Sequence, residues 1–148
     1  MKILLADKIN PVAIEAFKAI EGAEVINQPT LTAEELPQHI AGVDVLVVRS
    51  TKVTKATFEA ADKLGLVIRA GSGVNNIDVP CATAHDVRVV NCPGKNSVAV
   101  AELAMGLLLS LERRIADCVA QSRAGKWNKK EFGKAQGLKG KTVGVVGV

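Results

Sequence analysis

The chain has 148 residues, 48% hydrophobic and 23% charged, with a formal net charge of +4. This is ordinary for a soluble globular protein and is enough chain for one domain with a real core. The longest apolar tract, 98–111, is broken by Glu102 and Ser110 and is too short to span a bilayer. Cys81, Cys92 and Cys118, with no C-x-x-C pair among them, suit neither a disulfide framework nor a zinc site.

Apolar, β-branched runs of strand length recur at 3–6, 23–26, 43–48, 66–70, 87–91 and 142–148. Their apolar character is continuous rather than alternating, which predicts strands buried on both faces. Helical patterns lie between them at 11–20, 33–40, 55–61, 78–84 and 97–124. Strict alternation of strand and helix predicts an α/β fold: a parallel sheet with helices on both faces. Asn10-Pro11 gives a helix start with proline at the first helical position. Gly22 and Gly42 fall just past helix ends, and Cys92-Pro93-Gly94 breaks the chain before the long helix, with Asn96 or Ser97 as its N-cap. That helix is apolar all round from Val98 to Leu109, so its first half is expected to be buried. A boundary between two structural units is expected near 93–97.

Charge is uneven. Between Arg123 and Lys141 there are seven basic residues against one acid, Glu131. Only Trp127 and Phe132 could stack on bases there, and no reading-head motif is present, so a solvated or interdomain face is expected rather than nucleic-acid binding. His39 and His85 read as surface residues, Trp127 as a packing residue and Cys92 as a small buried one. Glu102, set in an apolar helix, needs a partner or water. Met1-Lys2 runs straight into ILLA with no secretory pattern, and reduced thiols fit a cytoplasmic protein.

Two glycine loops bear on chemistry. Gly71-Ser72-Gly73-Val74 follows a strand, and in a parallel sheet the carboxyl ends of strands face the ligand crevice. Successive bared N–H groups there would hold a carboxylate or phosphate. The competing reading is a tight turn that needs glycine for its φ angles alone. Asn75 and Asn76 stand where a dinucleotide fingerprint would carry its third glycine. The second loop is VGVVGV at 143–148, where Gly147 would be the first glycine of a phosphate turn after a strand.

Four stretches, VVRSTKVT at 47–54, RAGSGVNNID at 69–78, VVNCPGKNSVAVAEL at 89–103 and GLKGKTVGVVGV at 137–148, together resemble the D-isomer-specific 2-hydroxyacid dehydrogenases. Within that family they are most similar to the branch that acts on 3-phosphoglycerate. The resemblance implies two α/β domains with the active site in the cleft between them. Residues 1–97 would be a flavodoxin-like substrate-binding domain, and 98–148 the start of an NAD-binding domain, namely its long helix and the first strand of a truncated Rossmann sheet.

By the same likeness, the amides of Ser72, Gly73 and Val74 would hold the substrate carboxylate. Arg49, Ser50 and Asn96 would also bind substrate, and Ser72, Val100 and Gly147 would lie against NAD. Asn75 departs from the aspartate common at its position, which implies a local change in hydrogen bonding. The family's catalytic Arg, Glu and His fall beyond residue 148, so no catalytic residue is assigned within this chain and the chain alone is expected to be inactive.

The implied reaction is oxidation of 3-phosphoglycerate to 3-phosphohydroxypyruvate, in serine biosynthesis, by a homodimer or tetramer. The alternative is a non-catalytic, NAD-sensing corepressor or regulatory relative of the same fold. A phosphoacceptor receiver domain fits poorly: Val48-Arg49-Ser50 stands where its aspartate is needed, and Asp7 has no acidic neighbour.

Overall fold

A computed structural model describes residues 1–146. The chain divides into two compact units, Met1–Asn96 and Ser97–Val148. No helix among the described residues is long and apolar enough to cross a membrane.

The first unit alternates strand and helix throughout. Its elements are β1 (Lys2–Leu5), α1 (Pro11–Lys18), β2 (Glu24–Asn27), α2 (Leu36–His39), β3 (Val45–Val48), α3 (Lys55–Ala60), β4 (Leu66–Arg69), α4 (Val79–Ala84) and β5 (Arg88–Asn91). The five strands form one parallel sheet in the order β2-β1-β3-β4-β5. This is the flavodoxin-like order, and its topological switch point lies between β1 and β3.

Burial follows from that order. β1 and β3 sit inside the sheet, and their apolar runs are buried on both faces. One face packs Leu4, Leu46, Val48 and Val67 against Leu36, Phe58 and Ala82 of α2, α3 and α4. The other packs Ile3, Leu5, Val45 and Val47 against Ile14 and Phe17 of α1. The outer strands β2 and β5 are mostly half-buried or exposed, so the expectation of two buried faces fails there: an edge strand lacks a neighbour on one side.

Local signals explain the joints. The Asn10 side chain accepts the Val12 N–H at 2.9 Å, capping α1, with Pro11 at its first position. Asp78 caps α4 by accepting the Cys81 N–H at 3.0 Å. Both His39 and His85 are exposed, as the sequence suggests.

The second unit departs from its sequence pattern in three ways. First, the long helix is two helices, α5 (Ser97–Glu112) and α6 (Ile115–Arg123), followed by α7 (Lys129–Phe132). The break is at Arg114, which adopts a left-handed conformation with φ 52°. Its guanidinium donates to Asp117 at 3.2 Å and to Glu131 at 2.9 Å, and lies over the Phe132 ring. These partners hold a turn that no glycine or proline announces.

Second, α5 is exposed where burial was expected. Val98 is 72% and Leu103 64% exposed, and Glu102 is in solvent. An all-apolar helix needs a cover, and the described residues of the second unit leave these side chains exposed. Trp127, expected to pack, is 83% exposed.

Third, 142–146 is not a strand: it pairs with no neighbour among the described residues, and pairing is what makes a strand. Gly147 lies outside the described residues.

Candidate functional site

The carboxyl edge of the sheet is built by the segments that leave β1, β3, β4 and β5. An open crevice of about 810 Å³ lies along it, lined by Asn10, Arg49, Ser50, Arg69, Ser72, Lys95 and Asn96 among others. Its lining carries three cations and no carboxylate. Such a lining favours an anion, and favours one with more than a single charge.

The glycine loop follows β4. Ser72, Gly73 and Val74 donate their N–H groups to no acceptor among the described residues. The loop is held by other atoms. The Cys92 N–H donates to the Gly71 carbonyl at 2.9 Å, the Asn91 amide donates to the Ser72 carbonyl, and the Ser72 hydroxyl donates to Asn96 Oδ1 at 2.6 Å.

Neither Gly71 nor Gly73 has a positive φ, so a turn needing glycine for that reason alone does not account for them. Gly71 answers a different requirement. A Cβ there would lie 1.7 Å from Arg69 Nη1 and 2.4 Å from Arg69 Cζ. The guanidinium rests over the bare Cα, which only glycine permits. Arg69 Nε is buried and has no hydrogen-bond partner among the described residues.

The arginine loop follows β3. Asp7, at the end of β1, anchors it: Asp7 Oδ2 accepts the N–H groups of Arg49 at 2.7 Å, Ser50 at 2.9 Å and Thr51 at 2.9 Å. Burial pushes this carboxyl up, but the amides of Arg49, Thr51 and Ser50 outweigh it and hold Asp7 below the usual aspartate value. The carboxylate is thereby engaged with the backbone, and the Arg49 side chain is left exposed.

Four of the expected site residues, Arg49, Ser50, Ser72 and Asn96, thus come together on this crevice. Gly73 and Val74 continue the same loop. Val100 belongs to α5 in the second unit, and Gly147 lies outside the described residues. Arg69 and Lys95 were missed by sequence reasoning. The signal for Arg69 was its place at the carboxyl end of β4, immediately before the glycines. Among the described residues, no cluster of His, Cys, Asp and Glu could hold a metal ion.

Known proteins resemble this chain over its whole length. The chain is 46% identical, over all of its length, to D-3-phosphoglycerate dehydrogenase of Methanocaldococcus jannaschii, and spans 28% of that protein. It is 42% identical over 99% of its length to a hydroxypyruvate reductase of Thermotoga maritima, of which it spans 47%. Among solved structures, the NAD complex of an NAD-dependent formate dehydrogenase from Staphylococcus aureus superimposes with a TM-score of 0.78. It is 29% identical, and the match covers 93% of this chain and 46% of that one. The chain therefore spans less than half the length of these relatives. Residues 3–140 match the model of the D-isomer specific 2-hydroxyacid dehydrogenase catalytic domain, and with these identities the chain belongs to that family.

Proposed function

We propose that this chain is the front part of an NAD-dependent dehydrogenase that oxidises 3-phosphoglycerate to 3-phosphohydroxypyruvate, the step that leads toward serine. The observation that carries this reading is the crevice itself, with unpaired amides on one loop and Arg49, Arg69 and Lys95 along it. 3-Phosphoglycerate has an anion at each end, so it can use both features at once. The substrate carboxylate sits on the Ser72, Gly73 and Val74 amides, and the phosphate meets the arginines, whose forked donors suit it. Ser50 and Asn96 supply further polar contacts, and Lys95 adds charge.

NAD is the hydride acceptor this reading calls for, supported by the NAD complex of the staphylococcal relative. The described residues do not form a dinucleotide cradle by themselves: 142–146 pairs with no strand, and the Ser72 hydroxyl is engaged by Asn96. Ser72 and Val100 would at most border the cofactor, and Gly147 belongs to the phosphate turn expected at 143–148. What these residues do is bind and orient the acid. The reading also takes the whole protein to assemble as two or four copies.

The test is a titration of the isotope-labelled chain with 3-phosphoglycerate. Shifts in the amides of Ser72, Gly73 and Val74 are expected, with affinity reduced in Arg49→Ala. Shifts confined to residues off the carboxyl edge would refute the reading. No turnover is expected from this chain with NAD and 3-phosphoglycerate.

A further inference from the structure

Strands fix where loops begin, not where their tips stand. The two anion-binding loops of the first unit are rooted on adjacent strands, β3 and β4, and beyond the strands they are tied to one another by a backbone bridge between Val53 and Ile77 and by side chains. Asp7 takes three consecutive amides of 49–51 on a single oxygen. The next link leaves from the last residue of that trio: the Thr51 carbonyl accepts Asn76 Nδ2 at 2.8 Å. Asn76 ends the glycine loop, and its own carbonyl accepts the Val53 N–H at 2.8 Å.

The orientation of the Asn76 amide is dictated. Turned over, it would set Oδ1 against the Thr51 carbonyl, oxygen to oxygen. In the arrangement present, Oδ1 is buried without a partner, a penalty the Thr51 and Val53 contacts must outweigh.

We infer that Asp7 and Asn76 are positioning residues that set the span between the arginine loop and the glycine loop, and so select an acid by the distance between its two anionic ends. The inference rests on the reading of the crevice given above. Neither residue need touch the ligand. A one-ended anion uses one loop and is indifferent to the span, whereas a two-ended acid must meet both loops at once.

The experiment compares three ligands on the 148-residue chain: 3-phosphoglycerate, with two ends, and inorganic phosphate and glycolate, with one each. The variants are Asp7→Asn, which removes the charge, and Asn76→Ala, which removes the donor without adding a charge. Affinity for 3-phosphoglycerate is expected to fall about tenfold in each variant, while phosphate and glycolate change less than about twofold. An unchanged ratio in well-folded variants, or an equal loss for all three ligands, would overturn the positioning role. If Asp7→Asn does not fold, Asn76→Ala, which removes the donor without adding charge, carries the same comparison by itself. Absence of binding by the parent chain would instead remove the reading of the crevice, and this inference with it.

Discussion

Both units of this chain are rich in aliphatic side chains, and they dispose of them in opposite ways. In the first, the strand runs vanish between helices, and Phe58 is 1% exposed. In the second, none of the helices α5, α6 and α7 contains a buried residue. Apolar content therefore announces that a surface must be covered, but not by what. A parallel sheet whose crossover helices lie between its strands in sequence brings its own cover. A lone apolar helix does not.

The largest expected effect tests the first half of that contrast. Phe58→Ala should lower the stability of the first unit by about 3–5 kcal/mol, which is much of a small domain's total. Urea denaturation reads it, and a loss below about 1 kcal/mol would mean that the core is not where the burial places it.

Next comes the edge of the same unit, where polar geometry matters more than packing. Gly71→Ala should push the Arg69 guanidinium aside. Because the obstructing atoms end a flexible side chain, stability should change by less than about 1 kcal/mol, while affinity for 3-phosphoglycerate drops about tenfold. Equal affinity in calorimetric titrations would remove Arg69 from the site.

The Asp7 carboxyl gives a smaller, pH-dependent signature. Its folded value is depressed, so the stability it contributes is present above the unfolded aspartate value and is lost as pH falls through the folded one. The stability difference between the parent chain and Asp7→Asn should therefore be full near about pH 6 and shrink below about pH 4. A difference that grows on acidification would contradict the three amide contacts.

The smallest effect sharpens the second half of the contrast. Leu103→Ser on α5 should shift the stability of this chain by no more than about 0.5 kcal/mol, since the side chain is already in water. A loss of the size seen with Phe58→Ala would show that α5 is covered in solution.

What could be read beforehand follows the same division. The five strands of the first unit were legible because a run of Val, Ile and Leu bounded by turn residues has few other uses. Their order came only with the family resemblance, which implies a flavodoxin-like sheet; nothing in 66–70 by itself says that β4 lies beside β3 rather than β1. The glycine loop was placed correctly at a strand end, but the reason for Gly71 was hidden. It depends on where a guanidinium two residues away comes to rest, which is a matter of tertiary geometry.

The second unit was legible in content and not in outcome. Arg114 looks like any helical arginine until Glu131 and Phe132 are brought to it. Residues 142–146 have strand composition, but strand character belongs to a pair, and no partner lies among the described residues.

The seating of Arg69 over Gly71 means that these two positions cannot drift independently. A lineage that first shortens residue 69 makes room for a small side chain at 71, whereas one that first gains a methyl at 71 displaces the cation. The order of substitutions is therefore constrained. A mutational scan taken one position at a time will assign position 71 a cost that exists only beside an arginine.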